Sequence, residues 1–176
     1  MKIGLCGTMS VGKTTLVKAL QELPEFKDYK FATERSKYLN DLGIPLNTDS
    51  TLKGQTVFLA ERCAELMHQN VITDRTIFDV IAFAKSAKSI DLIESEKFED
   101  YASQFLSEYD YIFYISPDGI PIEDNGVREI DEHYRDLIDF SITHLIKRYS
   151  WKIKNIETIK GSTEERIEQI LKYINS

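Results

Sequence analysis

The segment that decides the fold is Gly7-Thr8-Met9-Ser10-Val11-Gly12-Lys13-Thr14, near the start of a chain of 176 residues. It matches the pattern G-x-x-x-x-G-K-[ST], and the flanking sequence fits, because Lys2–Cys6 is predicted as a strand and Thr14–Glu22 as a helix. In such a loop, backbone N–H groups surround a phosphate and the dipole of the following helix adds positive charge. The segment therefore predicts a phosphate-binding loop (P-loop) that takes the triphosphate of ATP or GTP together with Mg²⁺.

The side chains of this loop have separate predicted roles. Lys13 is expected to reach the β- and γ-phosphates, the Thr14 hydroxyl to bind Mg²⁺, and Gly12 to let the backbone approach closely. The predicted nucleotide-binding residues are Gly7, Thr8, Met9, Ser10, Val11, Gly12, Lys13, Thr14 and Thr15.

Strand and helix signals alternate along the whole chain, which is typical of a parallel sheet flanked by helices. We predict one domain over residues 1–176 with the three-layer α/β fold of P-loop NTPases. Its five-stranded parallel sheet has the predicted order 2-3-1-4-5, with helices on both faces, and ligands are expected at the carboxyl ends of the strands. The predicted strands are Lys2–Cys6, Tyr29–Thr33, Asn70–Thr73, Tyr109–Ser116 and Lys154–Lys160.

The middle of the chain contains one long predicted helix, Thr51–Gln69. Gln55, Phe58 and Arg62 share one face of this helix, and they either line an acceptor pocket or form an ordinary face that is partly core and partly surface. The predicted core contacts of the same helix are Val57, Leu59, Ala60, Cys63, Ala64 and Met67.

Composition narrows the class of partner. The net charge of −7 disfavours nucleic acid as the main partner, although a local basic channel would still allow it. Two cysteines outside any CxxC pair suit a reducing cytosol, and we expect a cytoplasmic protein with no membrane span. The expected partner is a small-molecule nucleoside or nucleotide, and a homodimer is left open.

Charged pairs follow two of the predicted strands. Glu34 is a candidate general base with Arg35 as a clamp on substrate, although the pair also suits the solvated start of a helix. Asp74 is a candidate Mg²⁺ ligand, Arg75 a candidate to neutralise the transferred phosphoryl group, and Asp79 either caps the next helix or adds a polar contact to substrate.

The polar stretch after the fourth predicted strand resembles a lid over residues 117–135. Arg128 and Arg135 would then bring positive charge to the phosphoryl group, whereas the alternative is an exposed loop with surface arginines. Gly161-Ser162-Thr163 follows the last strand, where P-loop kinases usually place the adenine.

These motifs, taken in order, resemble the AAA-type ATPase domain shared by the nicotinamide riboside kinase part of NadR and its relatives, which lies close to nucleoside and nucleotide kinases. The resemblance runs over nearly the whole chain and implies that Asp74 serves Mg²⁺ and the acceptor hydroxyl, and that Asp124–Arg128 belongs to the lid. In this chain Asn125 replaces a frequent second acid, and Phe83 stands where an aromatic hydroxyl is often found. Small members of this kind also occur in bacteriophages, which would place such a protein in the host cytoplasm.

Three functions fit these features. The leading hypothesis is an ATP-dependent, Mg²⁺-dependent kinase of a nucleoside or nucleotide, with Lys13 and Arg128 acting on the phosphoryl group and either Glu34 or Asp74 as the base. The alternatives are an NTPase or switch without an acceptor, and a kinase of a modified base in DNA. The switch is disfavoured because no suitable Gln accompanies the third predicted strand.

Overall fold

The computed structural model describes residues 1–33, 35–120 and 131–175. Within these residues, five strands form one parallel sheet with the order β2-β3-β1-β4-β5, which confirms the predicted fold class and strand order. The strands are β1 (Lys2–Cys6), β2 (Lys30–Ala32), β3 (Val71–Asp74), β4 (Tyr111–Ile115) and β5 (Asn155–Ile159). The helices are α1 (Lys13–Gln21), α2 (Ser36–Asp41), α3 (Leu52–Glu65), α4 (Ile77–Lys85), α5 (Leu92–Ala102), α6 (Glu132–Tyr149) and α7 (Thr163–Ile174).

The alternation of side chains along each strand divides the core into two layers. Ile3 and Leu5 of β1 pack with α1 and α7 on one face of the sheet. Cys6 of β1 and Ile112 of β4 pack with α3, α4, α5 and α6 on the other face. Among the described residues, no helix has the length and apolar character needed to cross a membrane.

The sheet register aligns the carboxyl-terminal parts of three strands. Leu5 of β1 pairs with Asp74 of β3 on one side and with Phe113 of β4 on the other. The chain segments that leave these three strands therefore meet at one edge of the sheet. This edge carries the P-loop, Asp74 and the start of the segment predicted as a lid.

Helix α3 differs from the prediction in length and in the face that it buries. It ends at Glu65, and three of its six predicted core residues, Ala60, Ala64 and Met67, lie at the surface, Met67 beyond the helix end. The buried side chains include Leu59 together with the polar Gln55 and Arg62. The hydrophobic pattern was misleading because this helix buries polar groups toward the carboxyl ends of the strands.

Candidate active site

The P-loop contains three residues with positive φ angles, two of which are glycines. Gly7 and Gly12 have φ angles of 150° and 82°, and Ser10, with a φ of 59°, is also left-handed. A Cβ at Gly7 would lie 2.7 Å from the Ile115 carbonyl oxygen, so the first glycine is required by contact as well as by conformation. Gly12 is the N-cap of α1, whose first N–H groups are therefore available to an anion.

Lys13 is held inside this loop. Its ammonium donates to the carbonyl oxygens of Gly7 and Thr8, the latter at 2.6 Å, and lies 4.0 Å from Asp79 Oδ1. Burial lowers the pKa of Lys13 and the neighbouring Arg75 charge lowers it further, whereas Asp79 and Asp74 oppose both effects. The ammonium is thus a desolvated charge next to the backbone that is predicted to bind phosphates, where it would interact strongly with an anion.

Asp74 ends β3 directly opposite the P-loop helix. Its Oδ2 accepts a hydrogen bond of 2.5 Å from the Thr14 hydroxyl. Its Oδ1 is buried, and no described residue donates to it. Oxygen atoms of a carboxylate and a hydroxyl are the ligands that Mg²⁺ takes from proteins, so Asp74 and Thr14 fit the predicted metal site.

Asp79 lies beneath the loop rather than on a cavity surface. Its side chain is fully buried. Oδ2 accepts from the Thr76 backbone N–H and hydroxyl at 2.7 and 2.9 Å, which caps α4, and Oδ1 accepts from the Gly7 N–H at 3.3 Å. Asp79 therefore joins α4 to the P-loop, and the structure does not bring it into contact with a substrate cavity.

A cavity of about 270 Å³ opens above the P-loop. We call it the donor cavity, because it contains the predicted triphosphate site. Its lining residues are Met9, Ser10, Val11, Gly12, Lys13, Thr14, Thr15, Asp74, Arg75, Ile120, Gly161, Ser162, Thr163 and Arg166. The structure thus brings the predicted nucleotide-binding loop together with the predicted metal ligand and with the segment after β5.

Arg75 also lines a second, smaller cavity, which we call the acceptor cavity after the acceptor pocket predicted at Gln55 and Phe58. It is lined by Ser36, Leu46, Asn47, Ser50, Gln55, Phe58, Arg75, Val80 and Phe83. Gln55 is only 3% exposed, and no described residue forms a side-chain hydrogen bond with its amide. A buried amide in a cavity that is also lined by two aromatic rings suits a flat ligand with hydrogen-bonding edges.

Arg75 lines both cavities. Its backbone has a φ of 94°, which is unfavourable for a residue with a side chain, and its N–H donates to the Leu5 carbonyl at 3.1 Å. The guanidinium lies 4.9 Å from the centre of the Phe83 ring and 4.0 Å from Asp79. Arg75 therefore places a positive charge at the point where the two cavities meet.

The other predicted arginines have different positions. Arg62 is buried away from the acceptor cavity, where it donates to the Asp74 carbonyl and to Glu65 at 3.0 and 2.6 Å. Arg35 is half exposed and pairs with Glu61 at 3.1 Å. Arg135 donates to the carbonyls of Ile120 and Pro117, so it joins α6 to the segment after β4. Glu34 and Arg128 lie outside the described residues.

Glu65, which accepts a hydrogen bond from Arg62, is a titratable group close to the site. Burial raises the pKa of Glu65 to about 7, although the Arg62 charge opposes the shift. An acid that binds its proton more tightly in the folded state contributes stability below its unfolded pKa of about 4.3 and loses that contribution as pH rises through the folded value.

We therefore expect the free energy of unfolding of wild type to decrease between pH 5.5 and pH 8 relative to Glu65→Gln, by about 1 kcal/mol. Urea unfolding at both pH values measures the difference. Glu96→Gln, on the solvent side of α5, is the control. The same pH dependence in wild type and E65Q would contradict the role assigned to Glu65.

Arg166 was missed at the sequence level. It lies in the first turn of α7, only 6% exposed, and donates to the Val11 carbonyl of the P-loop at 2.8 Å. In sequence it is one charged residue among several on a polar helix, more than 150 residues from the loop that it contacts. Only the packing of α7 against α1 reveals it.

With this geometry in place, comparison with known proteins identifies the family. The sequence matches the model of an AAA domain over residues 2–166. The chain belongs to this AAA domain family. A search of curated proteins returns no match.

Solved structures share the fold of this AAA domain. Deoxyadenosine kinase from M. mycoides with bound dCTP superposes with a TM-score of 0.70 and 20% identity, and 99% of each chain is covered. NadR protein in complex with NAD and AMP-PNP gives a TM-score of 0.71 and 15% identity over 99% of this chain. The AAA domain spans only 49% of that NadR chain.

Proposed function

We propose that this AAA domain is an ATP-dependent kinase of a nucleoside or nucleotide. The observation that carries the proposal is the pair of cavities that meet at Arg75. A P-loop protein that only hydrolyses a nucleotide needs the donor cavity alone. Here a buried amide and two aromatic rings form an acceptor cavity directly beside it, which suits transfer of a phosphoryl group from one ligand to another.

On the donor side, the P-loop backbone and Lys13 bind the phosphates. The ammonium must exchange its bonds to the Gly7 and Thr8 carbonyls for bonds to phosphate oxygens, which is favourable because it gains a charged acceptor. Thr14 and Asp74 would hold Mg²⁺. When bound, this ion neutralises charge on the β- and γ-phosphates.

On the acceptor side, Gln55 supplies a donor and an acceptor to the edge of a base, while Phe58 and Phe83 provide apolar walls. The cavity measures about 40 Å³, so it must widen to admit a nucleoside. Arg75 lies where the acceptor hydroxyl would meet the γ-phosphate, and its charge stabilises the transferred group.

The general base remains a proposal with two candidates. The Asp74 carboxylate is already engaged with Thr14 on the donor side, which favours the metal role for Asp74 and the base role for Glu34. Arg35 and Arg128 remain candidates for contacts with substrate, whereas for Asp79, Arg62 and Arg135 we favour support of the site through the bonds described above.

The solved structures of similar fold support this proposal through their ligands. The M. mycoides deoxyadenosine kinase holds dCTP in one structure and dATP in another, and NadR holds NAD with AMP-PNP. Each therefore binds nucleotides on the same fold. The test for this chain is ADP release from ATP in the presence of nucleosides, nucleotides or DNA with modified bases. Stimulation by one nucleoside or nucleotide supports the proposal, and hydrolysis that no acceptor stimulates would contradict it.

Gln55→Leu tests the acceptor cavity. Removing the amide while keeping a side chain of similar size is expected to raise KM for the acceptor by roughly tenfold to a hundredfold, because two hydrogen bonds to the base are lost. KM for ATP should stay within about threefold. Steady-state kinetics with both substrates measures the effect, and Thr56→Ala, the exposed neighbour on α3, is the matched control. An unchanged acceptor KM in Q55L would remove Gln55 from the site.

A further inference from the structure

Arg166 is a buried charge at the junction of two cavities. Besides the donor cavity, it lines a neighbouring cavity formed by Ser116, Asp118, Gly119, Ile120, Lys160 and Gly161. That cavity lies between the segments that follow β4 and β5. The Arg166 guanidinium therefore lies between the P-loop, which is predicted to bind phosphates, and the segments that follow β4 and β5.

The guanidinium is fixed in place by the P-loop itself. It donates to the Val11 carbonyl at 2.8 Å, and a Cβ on Gly12 would lie 3.2 Å from the same nitrogen. Arg166 thereby supplies the hydrogen-bond donor that this backbone carbonyl of the loop needs. This contact holds the rest of the guanidinium against the cavity surface.

Within the part of the chain that the structure describes, no carboxylate pairs with Arg166, and its Nε is buried without a hydrogen-bond acceptor. Burial lowers the pKa of the guanidinium, since desolvation disfavours its charge. A buried cation without a counter-charge is unfavourable unless a ligand supplies one. The cavity that it lines is the one already formed by the phosphate-binding loop.

We propose that Arg166 binds the phosphate chain of the donor nucleotide and is its fixed counter-charge on the α7 side of the P-loop. This inference rests on the proposed function in one respect, which is that the donor is a nucleoside triphosphate. Phosphate oxygens offer the charged acceptors that the guanidinium lacks, and such charge-assisted bonds are about twice as strong as neutral ones. Lys13 and Arg166, which line the same cavity, then both contact this phosphate chain.

Calorimetric titration with Mg²⁺·ATP and with inorganic tripolyphosphate, without an acceptor, tests the proposal. Arg166→Gln keeps a polar side chain but removes the charge, and it should weaken the binding of both ligands by the same factor, roughly tenfold or more. Arg166→Lys keeps the charge and should stay within about threefold of wild type. Lys172→Gln, in the last turn of the same helix, is the matched control and should not change either affinity.

Three outcomes would overturn the proposal. Wild-type affinity in R166Q would reduce Arg166 to a partner of the Val11 carbonyl. A loss for ATP but not for tripolyphosphate would place the contact on the base or ribose. Equal losses of affinity in R166K and R166Q would show that the packing of Arg166, rather than its charge, supports binding. Because no acceptor is present, these results are independent of phosphoryl transfer, so the kinase proposal can hold while this one fails.

A second measurement, by NMR spectroscopy, needs only the R166K variant, which retains the charge. In ¹⁵N-labelled wild type, the guanidinium resonance that disappears in R166K should shift when tripolyphosphate is added. An unperturbed resonance at saturating tripolyphosphate would contradict the contact even if R166Q does not fold.

Discussion

Lys13→Met is expected to reduce phosphoryl transfer by roughly 10³-fold. Methionine keeps the length of the side chain in its buried channel but removes the charge that phosphates would attract away from the Gly7 and Thr8 carbonyls. Binding of ATP, measured by titration calorimetry, should weaken in the same variant. Lys18→Met, on the exposed side of α1, is the matched control.

The K13M variant distinguishes the contribution of the Lys13 charge from the contribution of its packing. Asp79 lies 4.0 Å from the ammonium and also caps α4, so thermal unfolding of K13M must first show that the fold persists. A folded K13M protein with wild-type turnover would contradict the assignment of this loop to the donor phosphates.

Asp74→Asn is expected to reduce turnover by roughly 10²- to 10³-fold at saturating ATP and to raise the Mg²⁺ concentration needed for half-maximal activity. The amide oxygen still accepts from the Thr14 hydroxyl, so the local structure is kept while the charge that attracts the metal is lost. Activity titrated with Mg²⁺ measures both effects.

The control for Asp74 is Asp28→Asn, an exposed carboxylate before β2. If D74N lost activity with an unchanged Mg²⁺ dependence, Asp74 would be the general base rather than the metal ligand. The base role would then move from Glu34 to Asp74, and Glu34→Gln would be expected to keep wild-type turnover.

The parts of the fold that depend on local pattern were predictable from sequence. β1 has the predicted bounds, because an apolar run ends at a glycine that the P-loop requires. The strand order also follows, since the P-loop pattern and the alternation of strands and helices restrict the chain to few topologies. These features are dictated by residues that are neighbours along the chain.

The candidate site was only partly predictable, because burial of polar residues leaves no signal in the hydrophobic pattern. Gln55 and Arg62 lie on the same face of α3, but one lines the acceptor cavity and the other bonds to the Asp74 carbonyl. A sequence cannot distinguish an arginine that faces a phosphate from one that satisfies backbone carbonyls, as Arg135 does. Arg166 required the packing of α7 against the P-loop, a contact between the two ends of the chain.

The most direct test of the account is transfer of the terminal phosphoryl group of [γ-³²P]ATP to a nucleoside or nucleotide, with the product identified by chromatography and mass spectrometry. We expect a labelled monophosphate or diphosphate of one acceptor class, formed in the presence of Mg²⁺ by wild type and not by K13M. Release of label only as inorganic phosphate, at a rate that no nucleoside or nucleotide changes, would contradict it.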